Sequence, residues 1–190
     1  MGKINHTLIL IFCILLFIIS YNLDSAANVF LKNLRFGVLD HAFGIITNFG
    51  IAVIIMLLMP SIALCSKKKN KIKLLWLAFF SALVLSFIIK LIVLRQRPAE
   101  IFSSGMGAIS YPVIDVLYYS FPSMHAMAVF ALLPILIKYL PKQKKIWITF
   151  SLLVAFSRLY FRFHYLSDVV FGGFFGYFIG IFLLEKYDKK

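Results

Sequence analysis

His164 and Asp168 stand four positions apart in the run Ser157-Arg158-x5-His164-x3-Asp168. At that spacing two side chains share one face of a helix, so the carboxylate can accept the proton of one imidazole nitrogen and leave the other free to attack. A histidine nucleophile needs that arrangement. One histidine at a membrane interface is more often a plain polar contact, but this one has company. Lys90 lies seven positions before Arg97-Pro98, a spacing of nearly two helical turns that puts both cations on one side about 10 Å apart if the helix persists. Pro98 disfavours the helical conformation at Arg97, which predicts that the helix ends there and that Arg97 turns toward a common site. Pro122-Ser123-Met124-His125 opens an apolar run, where free backbone N–H groups and the positive end of the helix dipole favour an anion. Ser123 also fits an N-cap, and capping alone would account for it. Two histidines, one Asp, one Lys and two Arg recur on one expected side of the membrane, and function is to be sought there.

The elements that position these residues are membrane helices. The chain has 190 residues, 62% of them hydrophobic, and a mean hydropathy of +0.95, well above the roughly 45–50% apolar content of soluble domains. Nothing divides it into domains, so 1–190 reads as one unit. A bilayer core about 30 Å thick takes about 20 helical residues to cross, and six apolar stretches approach that length: 7–23, 42–64, 74–94, 125–140, 146–163 and 169–184. The expected fold is an all-α bundle of six transmembrane helices, since lipid offers backbone groups no outside partner. Lys3 before an apolar run and Ser25-Ala26-Ala27 after it have the look of a signal peptide, but the run from Thr7 is long for one, and keeping it gives an even number of spans.

The net charge of +13 could suit nucleic acid, but the lysines sit in short runs between apolar segments, as cytoplasmic loops beside anionic lipid do. No nucleic-acid partner is expected. With the N-terminus inside, thirteen of the twenty Lys and Arg fall on the inner side, so both termini are expected in the cytoplasm. The remaining seven are Lys32, Arg35, Lys90, Arg95, Arg97, Arg158 and Arg162, most of them beside the segments above. Cys13 and Cys65 lie far from any metal-ligand spacing and read as packing residues. A lipid-facing Lys90 would cost roughly 2.5–3.5 kcal/mol even on the lenient insertion scale, so it needs a partner or must snorkel to the interface. The 24 residues 99–122, with Gly105, Gly107 and Pro112, join the third and fourth spans on the outer side; loops of that length are often lids or binding segments.

Read together, Lys90–Pro98 as K-x6-R-P, Pro122–His125 as P-S-x-H and Ser157–Asp168 as S-R-x5-H-x3-D, the motif-bearing core 90–168 resembles the three-part signature of the type 2 phosphatidic acid phosphatases. Order, intervals and membrane side all agree. One position departs: the family's middle motif normally reads P-S-G-H, and Met124 stands where the glycine would be. Glycine allows close approach of phosphate and a positive φ, so the shape of the phosphate pocket is the property this change touches.

The resemblance implies an integral membrane lipid phosphatase, working at the outer face of the plasma membrane. His164, oriented by Asp168, would form a phosphohistidine, and His125 would protonate the leaving group and then activate water. Lys90, Arg97, Ser123, Met124 and Arg158 would hold the phosphate. No cofactor or metal is implied: Asp24, Asp40, Glu100, Asp115 and Asp168 form no recognisable two-metal cluster. Arg95, Arg162 and Tyr165 flank the motifs, where contact with substrate and plain solvation are both open. Expected partners are the lipid phosphate substrate and membrane lipids. Family substrates include isoprenyl diphosphates such as undecaprenyl diphosphate, phosphatidic acid, phosphatidylglycerol phosphate and lipid A, with the first two favoured by the short chain. The competing readings are a small transporter or channel, for which no inverted repeat is visible, and a catalytically decayed scaffold, against which the retained histidines, Asp168 and cations argue. Haloperoxidases related to the family bind vanadate in a similar pocket but are soluble.

Overall fold

The computed structural model describes residues 6–34, 36–65, 69–98 and 118–188, which are helical and turn structure without a strand. The segment 99–117, with Gly105, Gly107, Pro112, Glu100 and Asp115, lies outside the described residues, as do Lys3, Arg35, Lys67 and Lys68.

Helix α1 spans His6–Asn33, ten residues beyond the expected end at Leu23. Asp24 reads as a boundary charge in the sequence, and Ser25-Ala26-Ala27 as a break. In the fold Asp24 is buried at 5% exposure and bonded to other elements, so the helix continues through it. The expected second span is a bent pair. Helix α2, Gly37–Thr47, meets α3, Phe49–Cys65, at 55°, and a π-helical turn occupies Ile54–Leu58. The break falls at Asn48, whose extended backbone leaves the helical path and whose Oδ1 accepts the Ile51 N–H at 3.3 Å to cap α3.

Helix α4 runs over Lys69–Val93, α5 over Met124–Tyr139, α6 over Lys144–Tyr160 and α7 over Leu166–Asp188. Helices α1, α4 and α7 are long and apolar enough to cross a membrane, and the bent pair qualifies if taken as one span. At 16 and 17 residues, α5 and α6 reach about 24–26 Å, short of the bilayer core. Ten residues of α5 from Ala126 to Leu136 are buried, so this helix is sheathed by protein and has little need to match the lipid. Cys65 is exposed and Cys13 partly so, which corrects the expectation that both are packed.

Helices α5 and α7 form the centre. Gly172, Gly176 and Gly180 make a stripe at four-residue intervals on α7. A Cβ on Gly176 would stand 2.2 Å from the Met127 carbonyl, and one on Gly180 2.3 Å from that of Ala131, so the two backbones touch as small residues allow in membrane helices. Helix α4 covers α5 through a core that includes Leu75, Ala78, Leu132 and Leu136. The pair α2 and α3 leans on α6, where the buried Tyr160 hydroxyl donates to Asp40 Oδ1 at 2.8 Å.

Candidate active site

Lys90 lies in the last turn of α4, 2% exposed, and its ammonium donates to the Tyr119 carbonyl. Helix α4 stops at Val93 because Leu94 takes a φ of +51°, a left-handed turn that glycine more often supplies. The two-turn geometry expected for Lys90 and Arg97 is therefore not formed. Arg97 lies on non-helical chain, and its Nε reaches the Tyr118 carbonyl at 2.9 Å. Lys90 and Arg97 thus hold adjacent carbonyls of the segment leading into Pro122-Ser123.

Arg158 ends α6. Its guanidinium donates to Thr47 Oγ1 at 2.5 Å and to the Thr47 carbonyl at 3.4 Å, and lies 4.5 Å from the ring centroid of Phe163. The same ring stands 5.9 Å from the Arg97 guanidinium. After Tyr160 the chain closes with Arg162 N–H on Leu159 O at 2.8 Å and Phe163 N–H on Arg158 O at 3.1 Å, with Arg162 at φ +56°. This pair of bonds around a left-handed residue is a Schellman ending, and it turns the chain so that His164 points back into the bundle.

His164 is 4% exposed and sits in the turn before α7, not on the helix. Its Nδ1 bonds the Ser120 carbonyl at 2.6 Å. A carbonyl only accepts, so Nδ1 carries the proton and Nε2 keeps the lone pair. Asp168 Oδ2 lies 3.7 Å from Nδ1, too far for the hydrogen bond expected from the four-residue spacing. The reason is that Asp168, third residue of α7, caps the helix: Oδ2 accepts the Tyr165 N–H at 2.8 Å, while Oδ1 accepts from Arg95 at 2.7 Å. Asp168 thus stands beside the imidazole without bonding it, and the Ser120 carbonyl fixes the tautomer.

Ser123, Met124 and His125 open α5. Ser123 precedes the first helical residue, yet its hydroxyl makes no capping bond. It is fully buried, and its Oγ has no hydrogen-bond partner among the described residues, as is true of Arg158 Nε. Buried polar atoms left unsatisfied are costly. Met124 is the first residue of α5, and its φ is not positive, so the backbone does not require glycine there. The His125 ring meets Phe49 edge-on at 4.8 Å. The bend at Thr47–Phe49 therefore stands against both His125 and Arg158. Glycine at 172 lets this end of α5 approach α7, since a Cβ there would stand 2.7 Å from the Ser123 carbonyl.

The charges of Arg158, Arg97 and Lys90 all act on His164, but burial is the larger influence; together they hold its pKa well below the ordinary imidazole value. His164 is neutral at physiological pH. Burial also lowers the pKa of Arg97, while the bonds of Arg95 to Asp24 and Asp168 outweigh its burial and raise its pKa. Of the flanking residues, Arg162 donates to Asn28 Oδ1 at 2.6 Å and to the Pro98 carbonyl at 3.3 Å, and the Tyr165 ring lies 4.0 Å from the Arg95 guanidinium.

Residues 71–190 match the family profile of the PAP2 superfamily. The chain belongs to that superfamily. The structure is similar to that of the first transmembrane PAP2-type phosphatidylglycerolphosphate phosphatase from Bacillus subtilis, with a TM-score of 0.68 at 20% identity over 94% of this chain and 96% of that one. At that identity the likeness establishes a shared PAP2 membrane fold. No curated protein sequence matches the chain significantly. Sequence reasoning missed two contributors to this PAP2 site, Thr47 and Phe163. A third, Asp24, carried a usable signal: an ionisable residue in an apolar helix marks a functional site by default.

Proposed function

We propose that this PAP2 membrane protein is a lipid phosphatase that hydrolyses a lipid phosphate monoester or an isoprenyl diphosphate through a phosphohistidine. The carrying observation is a buried His164 whose Nδ1 proton is tied to Ser120, with Lys90 on the neighbouring Tyr119 carbonyl and with Arg97 and Arg158 against the Phe163 ring that precedes it. The cations hold the phosphate with Ser123 and the N–H groups of Met124 and His125. His164 Nε2 attacks phosphorus, the bond to the lipid oxygen breaks, and His125 gives that oxygen its proton. Water then attacks the phosphohistidine, the P–N bond breaks, His125 takes the water's proton, and inorganic phosphate leaves. Asp168 stabilises the positive charge that develops on the His164 ring.

An apolar groove of about 190 Å3 lies between α1 and α7, lined by Phe17, Phe171, Phe175 and Phe178 among others. The Phe17 and Phe171 rings stand 6.0 and 4.7 Å from that of Phe121, two residues before Ser123. A head group in the pocket would have its chains beside this groove, which favours a lipid over a soluble ester. Six membrane crossings, both termini in the cytoplasm and the site at the outer face complete the reading, on the strength of the lysine distribution. The test is metal-free phosphate release in detergent from phosphatidic acid, phosphatidylglycerol phosphate, undecaprenyl diphosphate and lipid A, beside His164→Ala. Release from one lipid that the variant abolishes is expected; none from folded wild-type protein would overturn the proposal.

A further inference from the structure

Asp24 lies on α1, outside the residues that match the PAP2 profile. Its Oδ2 accepts from Arg95 at 2.7 Å and from the Ser167 hydroxyl at 2.6 Å, and its Oδ1 accepts the Ser167 N–H at 2.8 Å. The other terminal nitrogen of Arg95 reaches Asp168 Oδ1 and Ser167 Oγ, each at 2.7 Å. The Arg95 carbonyl accepts the Ser120 N–H at 2.7 Å, and the Ser120 carbonyl in turn fixes His164. Both groups that act on the imidazole, the Asp168 carboxylate and the Ser120 peptide, are therefore attached to one residue, Arg95. Asp24 holds Arg95 from the opposite side, and the guanidinium lies 4.0 Å from the Tyr165 ring and 5.4 Å from that of Tyr21.

We infer that Asp24 is a positioning residue of this active site, acting through Arg95 on Asp168 and Ser120 and so on His164; the inference rests on the phosphatase reading above. Two arguments support it. The first is geometric: a guanidinium bound to two carboxylates in a fork cannot rotate, whereas one bound only to Asp168 can swing. Swinging carries Asp168 or the Ser120 peptide with it, and displacement of a reacting group by about 1 Å can cost about 100-fold in rate. The second is electrostatic. With Asp24 present, the positive charge of Arg95 is shared between two carboxylates, and Asp168 keeps negative potential toward His164. Without Asp24 that charge falls wholly on Asp168, and the imidazole loses the field that favours its positive form. Lys90 is held by the Tyr119 carbonyl and Arg158 by Thr47, so the cations of the phosphate cradle should not depend on Asp24.

The experiment compares wild type, Asp24→Asn and His164→Ala in detergent, with dioctanoyl phosphatidic acid and farnesyl diphosphate as probes and orthovanadate as competitive inhibitor. The expected result for Asp24→Asn is a kcat about 10- to 100-fold lower, a KM within about threefold, and unchanged inhibition by vanadate. A loss through general unfolding would weaken vanadate inhibition as well. In Arg95→Met the Asp24 substitution should cost little more, because the link it acts through is gone. If Asp24→Asn does not accumulate as folded protein, Arg95→Lys takes its place: it keeps the charge but cannot bridge two carboxylates, and the same fall in kcat at constant vanadate inhibition is expected. Wild-type kcat in either variant, or a fall in kcat matched by equal loss of vanadate inhibition, overturns the inference alone. Wild-type protein that releases phosphate from neither probe overturns the phosphatase reading, and this inference with it.

Discussion

His164 Nδ1 and the Ser120 carbonyl are 2.6 Å apart, so the His164 ring is oriented by the backbone just before the Pro122-Ser123 motif, and the pairing with Asp168 expected from the four-residue spacing is a longer one at 3.7 Å. A consequence is that Asp168→Asn keeps the tautomer while removing the field. Its kcat should fall by about 100-fold, clearly less than that of His164→Ala, since orientation is retained. Parallel turnover measurements on the two variants check this; equal losses would mean that Asp168 does hold the ring proton during reaction.

Ser123→Ala removes a buried hydroxyl that has no partner among the described residues. Thermal stability without ligand should hold or rise, because no made hydrogen bond is lost. Vanadate should bind about tenfold more weakly, the loss of about 1.4 kcal/mol expected for one hydrogen bond to an anion. A drop in the melting temperature with unchanged vanadate binding would contradict the assignment of Ser123 to the cradle.

The pKa of His164 lies below its ordinary value in the folded protein, with burial as the first cause. Between the two values the unfolded chain binds the extra proton, so stability from this residue is full above about pH 6.5 and declines as pH falls below it. Wild type should therefore lose more melting temperature than His164→Asn between pH 8 and pH 5.5, by scanning fluorimetry. Parallel slopes would show that the ring charges freely in the fold.

Gly176→Ala puts a Cβ at 2.2 Å from the Met127 carbonyl. Backbone must move, at a cost of about 1–3 kcal/mol, so the melting temperature and the kcat should both fall. Met124→Gly, by contrast, changes a first-turn residue whose φ is already ordinary. Its kcat should stay within about threefold of wild type, because the freedom glycine offers is not used there. A larger gain in rate would show that the methionine side chain obstructs the pocket.

The placement of the motif residues was largely readable from spacing, because they sit at helix ends that hydrophobic runs delimit well. His125, His164, Lys90, Arg97 and Arg158 fall where helix starts and stops were expected, within a few residues. What escaped was local backbone reversal and long-range pairing. Leu94 and Arg162 adopt left-handed conformations without the glycine that normally announces them, so the reversal after α4 and the turn to His164 had no signature. Asp24 looked like the edge of a span, because its partners Arg95 and Ser167 lie 71 and 143 residues away. The glycine stripe of α7 played no part in the reading of the sequence, and only the touching of α5 gives it meaning. The bend at Asn48 is set by a single side-chain cap, too slight a cue to divide an apolar run.

The backbone contact between α5 and α7 has a mechanical consequence. No side chain stands between Gly176 or Gly180 and the carbonyls they face, so this seam has nothing soft in it to be compressed. When the surrounding bilayer thins or thickens, the give must come from the rim, from the tilt of α1 and the elbow of α2 with α3. The gap between the start of α5, where Ser123 lies, and the start of α7, where His164 lies, then stays constant while the shell flexes, as a rigid keel keeps its shape inside a hull that bends.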